Sequence, residues 1–185
     1  SNKNKKMIIQ NILIGIRISN IMIAICCCLM VTSKIDILHY SSSIISTILV
    51  VLLMAASNLI NDIFDIKTDA INRPNRPLIV NPGLLNLFKI MTWLCIGISL
   101  FLSFFINLQA QLVIFCSIPI LTLYSKLFKP IPFLGNLIVA SYLSLVFLFI
   151  ELAATGRINL MIVPAFFAFG ISLIREMIKD VEDYK

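Results

Sequence analysis

NLINDIFDIKTDAINRPNRPL, residues 58–78, is the stretch on which the interpretation of the whole chain depends. It follows an apolar run and places Asp62, Asp65 and Asp69 at positions i, i+3 and i+7, which share one face of a helix. Neighbouring carboxylates at that spacing are about 5–6 Å apart, and each pair repels by roughly 3 kcal/mol at an effective dielectric constant of about 20. The stretch therefore predicts a positive partner. Mg2+ binds through one or two carboxylates plus substrate phosphates, so a metal-bound diphosphate at a membrane surface is the first functional hypothesis.

The composition around this stretch is that of a membrane protein. The 185 residues are 59% hydrophobic and 13% charged, whereas a soluble domain is about a quarter charged. Repeated apolar runs approach the length of about 20 residues that crosses a bilayer. We expect an all-α, polytopic transmembrane helical bundle that forms a single domain over residues 1–185. The net charge of +6 is attributed to basic loops on one side of the membrane, because no nucleic-acid-binding motif is present.

Six membrane spans are expected. Their approximate ranges are 8–32, 44–64, 84–106, 110–124, 133–155 and 159–175. Pro119 is expected to break the fourth span, Pro164 is a possible kink in the sixth, and the prolines and glycine of residues 66–83 are expected to prevent simple helix continuation. Glu151 is interpreted as a helix-end group near the outer surface.

Polar residues inside the first span leave two interpretations open. Arg17 and Asn20 lie among apolar residues, and a charge within the membrane is costly enough to suggest a functional site. Alternatively, Arg17 lies near the cytoplasmic end of the span and extends its guanidinium towards water.

Basic residues give the orientation of the spans. One set of span ends collects nearly all of them: Lys3, Lys5, Lys6, Lys67, Arg73, Arg76, Lys126, Lys129, Arg175, Lys179 and Lys185. The opposite loops contain Lys34 and Arg157. Because cytoplasmic loops are enriched in Lys and Arg, we expect a multi-pass protein of the cell membrane with its active site on the cytoplasmic side.

A second acidic cluster follows the sixth span. Glu176, Asp180 and Asp183 fall at i, i+4 and i+7, interleaved with Arg175 and Lys179. One acidic helix end is usually a solvated surface, but two at the same membrane face favour two carboxylate sets that hold Mg2+ around one diphosphate.

Basic residues near the first cluster and at the end of the fourth span suit the same ligand. These residues are Arg73, Arg76, Lys126 and Lys129, and they could contact the oxygens of a departing diphosphate. The spans themselves would enclose a long lipid tail and shield a reactive allylic cation from water.

The motifs resemble a known family. NDIFDIKTD is similar to the NDxxDxxxD motif of the UbiA superfamily of intramembrane prenyltransferases, and NRPNRP is similar to its usual continuation. The stretch from Glu176 to Asp183 occupies the position of that family's second Asp-rich motif. RPNRP, YSKLFKPIPFLGN and REMIKDVEDYK most resemble the branch that transfers a geranylgeranyl group from its diphosphate to the glycerol hydroxyl of geranylgeranylglyceryl phosphate.

The resemblance implies roles for individual residues. The Mg2+ ligands would be Asn61, Asp62, Asp65, Asp69, Glu176, Asp180 and Asp183. The catalytic residues would be Asp62, Asp65, Asp69, Tyr124, Lys126 and Asp180, with Tyr124 steadying the allylic cation or orienting the leaving group. The substrate contacts would be Asn20, Asn58, Arg73, Arg76, Lys129, Asn136, Arg175 and Lys179, although Asn136 suits a polar contact between helices equally well.

The chain departs from the family pattern in three places. The family often has a Tyr followed four positions later by Lys, whereas Phe128 stands there and the lysines are Lys126 and Lys129. Many members carry Arg-Pro-x-Asn in the first span, where this chain has residues 17–20 as RISN. The family has nine helices, so about six spans imply a C-terminally incomplete chain that we expect to be inactive by itself.

Two alternatives remain open at this point. The acceptor could be aromatic, as in quinone, chlorophyll or haem pathways. A cation transporter would also use intramembrane acids, but here the acids lie beside Arg and Lys residues that would repel a permeating cation.

Overall fold

The computed structural model describes residues 2–35, 40–129, 131 and 133–183, without the side chains of residues 2–5, 180, 182 and 183. This part of the chain is built from α-helices: α1 (Asn2–Gly15), α2 (Ile18–Thr32), α3 (Tyr40–Phe64), α4 (Ile66–Asn72), α5 (Pro77–Val80), α6 (Leu85–Ser103), α7 (Leu108–Leu123), α8 (Leu134–Thr155) and α9 (Ile162–Asp183). A 3₁₀ turn at Pro82–Leu84 leads into α6, and a π-helical turn at Tyr124–Phe128 extends α7. The expected all-α class is confirmed.

Within the described residues, four helical segments are long and apolar enough to cross a membrane: Tyr40–Phe64, Pro82–Ser103, Leu108–Phe128 and Leu134–Thr155. The pair α1–α2 makes a fifth if it counts as one span bent by 56°. The sixth expected span corresponds to α9. That helix is long, but its last turns carry Arg175, Glu176 and Lys179, so it does not share the continuous apolar character of the others. The chain is a multi-pass membrane protein.

Helix α3 lies at the centre of the bundle, in contact with α2, α6, α7 and α8. Its inward side is closely packed, and Leu49 is fully buried in a core with Cys28 of α2, Ala110 of α7 and Ile150 of α8. Large apolar side chains such as Trp93 face outward, as expected where the surroundings are lipid. A helix pairs its backbone N–H and C=O groups internally, which is necessary because lipid offers these groups no hydrogen-bond partners. Packing around α3 therefore fixes its far end, where the acidic cluster lies.

Two of the three expectations about prolines need correction. Pro119 lies inside a continuous α7 and does not break the fourth span, which continues through the π-helical turn to Phe128. The breakers of residues 66–83 do interrupt the helix as expected, since α4 ends at Asn72 and α5 begins only at Pro77, whose missing N–H costs nothing at the first helical position. Pro164 is the third residue of α9, so it lies in the first turn, where N–H groups have no intrahelical partner, and does not kink the helix interior.

Candidate active site

The end of α3 buries the first acidic cluster against the rest of the bundle. Asn58, Asn61 and Asp62 are buried at this end, and Asp69 is buried in α4. Helical hydrogen bonds continue across the junction, since Asp65 N–H donates to the Asn61 carbonyl at 2.9 Å and Asp69 N–H donates to the Asp65 carbonyl at 2.7 Å. The three aspartates therefore keep the helical spacing expected from the sequence, although α3 formally ends at Phe64.

The positive partners of Asp62 are arginines. Its Oδ1 lies 3.8 Å from one terminal nitrogen of Arg17 and 3.5 Å from a terminal nitrogen of Arg76. Its Oδ2 is buried and has no hydrogen-bond partner in the part of the chain that the structure describes. A buried carboxylate oxygen without a partner costs free energy, so this atom is available to a ligand or metal.

Arg17 reaches Asp62 because the first span breaks at this residue. Arg17 has left-handed backbone angles, φ 56° and ψ 61°, which are uncommon for a residue with a side chain. Asn58 holds the break from both sides: its Oδ1 accepts from Arg17 at 3.0 Å, and its Nδ2 donates to the Ile16 carbonyl at 2.9 Å. The carbonyl released by the break is thus satisfied, and Arg17 belongs to the site.

Arg76 is placed by the NRPNRP segment. It is the residue before Pro77, in the extended conformation that a following proline favours. Its guanidinium lies between two carboxylates, since its Nε is 4.0 Å from Asp69 Oδ2 and a terminal nitrogen contacts Asp62. Arg73 lies exposed at the end of α4. The NRPNRP segment thus places one guanidinium, that of Arg76, in contact with both Asp62 and Asp69.

The π-helical turn after α7 adds two further contacts. Ser125 Oγ donates to Asn61 Oδ1 at 2.5 Å, and Lys129 forms an ion pair with Asp65. The turn is closed by Lys129 N–H donating to the Tyr124 carbonyl at 2.9 Å. A π-helix has i→i+5 hydrogen bonds, so Lys129 lies one turn after Tyr124, as an i+4 residue does in an α-helix. The geometry favours Lys129 over the exposed Lys126 as the lysine of the site. The sequence did not signal Ser125.

The second acidic stretch is described only in part. Glu176 forms an ion pair with Lys179 of the same helix at 3.5 Å, and Arg175 is exposed. Within the described residues, no hydrogen bond or ion pair joins Glu176 to the carboxylates of Asp62, Asp65 or Asp69. The side chains of Asp180 and Asp183 lie outside the described residues, so their meeting with the first cluster stays a prediction.

The remaining predicted substrate contacts are distributed around the cluster. Asn20 lies in the first turn of α2, close to Arg17 and Arg76 at the break. Tyr124 begins the π-helical turn and Asn136 lies in the first turn of α8; both are half-buried. The helix ends therefore bring most of these residues to one end of the bundle.

The donor set suits a hard divalent cation. Carboxylate and amide oxygens are available from Asp62, Asp65, Asp69 and Asn61, and Asp62 Oδ2 has no hydrogen-bond partner among the described residues. Among the described side chains, no group of three or more His, Cys, Asp or Glu residues forms a ready-made metal site. Mg2+ does not require one, because it usually takes one or two carboxylates and completes its shell with water and substrate phosphates.

Comparison with known proteins gives a family. The model of the UbiA prenyltransferase family matches residues 20–185. The chain is 35% identical over 126 residues to digeranylgeranylglyceryl phosphate synthase of Thermococcus sibiricus, covering 68% of this chain and 45% of that protein. It is 37% identical over 130 residues to the enzyme of the same name from Methanosphaera stadtmanae, covering 69% and 47%.

One solved structure is also similar. It comes from a study of digeranylgeranylglyceryl phosphate synthase in membranes and aligns with a TM-score of 0.74 at 33% identity, covering 95% of this chain and 63% of that chain. The chain spans about half the length of the curated relatives it matches.

Proposed function

Because this chain belongs to the UbiA prenyltransferase family, we propose that the whole protein transfers a geranylgeranyl group from its diphosphate to the glycerol hydroxyl of geranylgeranylglyceryl phosphate. The product is a lipid with a second ether bond, and the reaction depends on Mg2+. The relatives named digeranylgeranylglyceryl phosphate synthase support this choice of substrates. We further propose that the protein acts in the cell membrane, with the reaction at its cytoplasmic face.

The observation that carries this proposal is the incompletely satisfied Asp62. Its carboxylate is 3% exposed, contacts Arg17 and Arg76 through one oxygen at 3.5–3.8 Å, and leaves the other oxygen unpartnered. A carboxylate buried for structural reasons would have its hydrogen bonds filled. The arginines can bind negatively charged oxygens, and the carboxylates around Asp62 Oδ2 can bind a metal ion. A diphosphate with Mg2+ supplies both.

Each group then has a part in the transfer. Asp62, Asp65, Asp69 and Asn61 would hold Mg2+, which supplies positive charge to the departing diphosphate. Arg76 and Lys129 donate hydrogen bonds to diphosphate oxygens and stabilise the charge that grows there. Lys129 must first exchange its ion pair with Asp65 for the substrate. The second acidic set, Glu176, Asp180 and Asp183, remains a predicted second metal group.

The reaction itself is a substitution at an allylic carbon. The bond from that carbon to the diphosphate oxygen breaks and the diphosphate leaves with the electron pair. The glycerol hydroxyl oxygen then bonds to the carbon and gives its proton to an oxygen of the departed diphosphate. Tyr124 lies at the start of the π-helical turn, one turn before Lys129, and would orient the leaving group or face the allylic cation. Surrounding apolar helices exclude water that would otherwise capture the cation.

The test uses the full-length protein in liposomes. Labelled geranylgeranyl diphosphate is supplied with geranylgeranylglyceryl phosphate or with 4-hydroxybenzoate, in the presence of Mg2+ or of EDTA. We expect labelled ether lipid from the first acceptor, formed only with Mg2+. A preference for 4-hydroxybenzoate would replace the lipid acceptor with an aromatic one. Cation flux without any prenyl transfer would support a transporter instead.

A further inference from the structure

A groove opens at the break in the first span. Its volume is about 410 Å³. Two arginines lie along it, Arg17 at the break and Arg76 before α5, with Ser19 and Asn20 from the first turn of α2. Among the residues that the structure describes, no acidic side chain lines it, although the carboxylates of the cluster contact the two arginines. The groove therefore presents positive charge and neutral polar groups.

Both guanidinium groups are held in place from behind. Arg17 donates to Asn58 Oδ1 at 3.0 Å and faces Asp62, while Arg76 lies between Asp62 and Asp69. A guanidinium carries five N–H donors, so each has donors to spare on its groove side. Their side chains are 30% and 19% exposed. Two fixed cations with spare donors form a site for an anion that accepts several hydrogen bonds.

Part of the groove wall is apolar. Leu13, Ile14 and Ile18 line it and are exposed, on helices whose apolar surface faces lipid. A ligand that fills the whole groove needs an anionic head against the arginines and a hydrocarbon part along this wall. That is the chemistry of a lipid with a phosphate head group.

We propose that this groove binds the phosphate monoester of the lipid acceptor, which rests on the proposed function. A monoester carries a charge of about −1.5 to −2 at neutral pH, which matches two arginines better than the single charge of a diester. The position also fits. Arg76 contacts both the groove and the acidic cluster, and in a glycerol phosphate the hydroxyl and the phosphate are at most two carbon–carbon bonds apart. A phosphate held here places the acceptor hydroxyl beside the diphosphate site.

A binding experiment tests the site without any turnover. The full-length protein in detergent is titrated with a short-chain alkylglycerol monophosphate by isothermal calorimetry. The test variant is Arg17→Asn, because Asn tolerates the left-handed backbone at this position. The matched control is Arg157→Asn, in the exposed turn between α8 and α9. We expect Arg17→Asn to weaken binding by about 10- to 100-fold and the control to bind like the wild type. Equal binding by all three proteins would overturn the site.

Kinetics separate a phosphate contact from a structural effect. The acceptor is compared with the same alkylglycerol lacking its phosphate, in the wild type and in Arg17→Asn. We expect the wild type to have a much lower KM for the phosphorylated acceptor, and this preference to collapse in the variant. Equal losses with both acceptors would show that Arg17 merely maintains the fold, and would overturn the proposal.

Two further arms identify the source of the phosphate. Inorganic phosphate and phosphatidylglycerol, a diester, are titrated in the same way. If either binds as tightly as the alkylglycerol monophosphate, the assignment to the acceptor is overturned. If the monoester lipid binds but no prenyl transfer occurs, the phosphate subsite is supported and the proposed function is contradicted. If prenyl transfer occurs but Arg17→Asn binds the monoester lipid as tightly as the wild type, the proposed function is supported and the subsite is contradicted.

Discussion

Two carboxylates are equally buried, at 3% exposure each, but they are satisfied differently: Asp62 near the end of α3 and Glu151 near the end of α8. Asp62 lies where the end of α7 meets α3, through the Ser125–Asn61 hydrogen bond. Glu151 lies where the start of α7 meets α8, through Asn107 and the Leu152 carbonyl, so the two residues lie at opposite ends of the bundle. Glu151 accepts backbone N–H groups from the turn before α9, from Asn159 at 3.2 Å, Leu160 at 2.7 Å and Met161 at 3.0 Å. Both of its oxygens are occupied, whereas Asp62 keeps one oxygen open.

The difference separates a structural carboxylate from one that is available to a ligand. The partners of Glu151 are backbone groups of a fixed turn, and Asn107 seals the same end by capping α7 and donating to the Leu152 carbonyl at 2.6 Å. We call Glu151 and Asn107 the sealed end. The partners of Asp62 are arginine side chains at 3.5–3.8 Å, and both contact the same oxygen of the carboxylate. Burial alone therefore does not identify a functional acid, but incomplete satisfaction does.

The largest effect is expected for Asp62→Asn. Removing this charge from the site should lower kcat for prenyl transfer by about 100- to 1,000-fold, which is typical of the loss of one preorganised electrostatic group. The midpoint of thermal unfolding should change little, because Asp62 is poorly satisfied in the folded protein. Turnover and unfolding are measured on the same purified full-length protein. A large drop in the midpoint with normal kcat per folded molecule would contradict the comparison.

Glu151→Gln should show the opposite pattern. Hydrogen bonds to a charged group contribute about 1.5–3 kcal/mol each, and Gln keeps one acceptor oxygen while presenting an NH2 group to a backbone donor. We expect a loss of about 2–3 kcal/mol in the free energy of unfolding, measured by titration from mild to denaturing detergent. Turnover per folded molecule should stay at the wild-type value. Reduced kcat in a fully folded variant would mean that the sealed end takes part in catalysis.

A smaller effect on catalytic efficiency is expected to distinguish Lys129 from Lys126. Lys129→Met should lower kcat/KM by about 10- to 30-fold, since it removes one charge-assisted hydrogen bond to the diphosphate. Lys126→Met is the matched variant, and because no ion pair joins Lys126 to a carboxylate among the described residues, we expect less than about a threefold change. Steady-state assays with varied geranylgeranyl diphosphate measure both. If Lys126→Met has the greater effect, the π-helical turn does not select the lysine.

The smallest effect is expected at the second residue of the sealed end. Asn107→Ala removes the cap of α7, where Asn107 Oδ1 accepts from Ala110 N–H at 2.9 Å. It also removes the donor to the Leu152 carbonyl, but that carbonyl keeps its hydrogen bond from Gly156 N–H, so the variant should cost about 1 kcal/mol of stability. Asn159→Ala is the control, because only the backbone N–H of Asn159 binds Glu151 and this group is retained. The control should stay within about 0.5 kcal/mol of the wild type. Equal losses in both variants would contradict the assigned cap.

The spacing of residues along the chain predicted the position of Asp62 on the acidic helical face, but it did not predict all of the side chains that contact Asp62. The positions of Asp62, Asp65 and Asp69 sufficed to predict one helical face, because helix geometry is local. The break at Arg17 has no proline to announce it. It depends on Asn58, 41 positions away, and on a close approach at Gly15, where a Cβ would lie 2.6 Å from the Phe88 ring. Such contacts arise from packing between helices, which periodicity does not report.

The burial of Glu151 was missed for a similar reason. From the sequence it is an acid near the end of an apolar span, and this pattern is typical of a surface group. The turn after α8 folds back so that three N–H groups converge on its side chain. The π-helical turn was equally hidden, since its distinguishing contact joins Ser125 to Asn61 across 64 positions.

The extra residue carried by the turn at Tyr124–Phe128 has a consequence for how such chains are aligned. A π-helical turn accommodates one inserted residue within a single turn of the helix. One residue can therefore be gained or lost there without rotating the residues that contact the acidic cluster away from it. Ungapped alignment of this chain with relatives that lack the insertion would pair the wrong positions, and a search pattern for the tyrosine–lysine pair should permit four intervening residues as well as three.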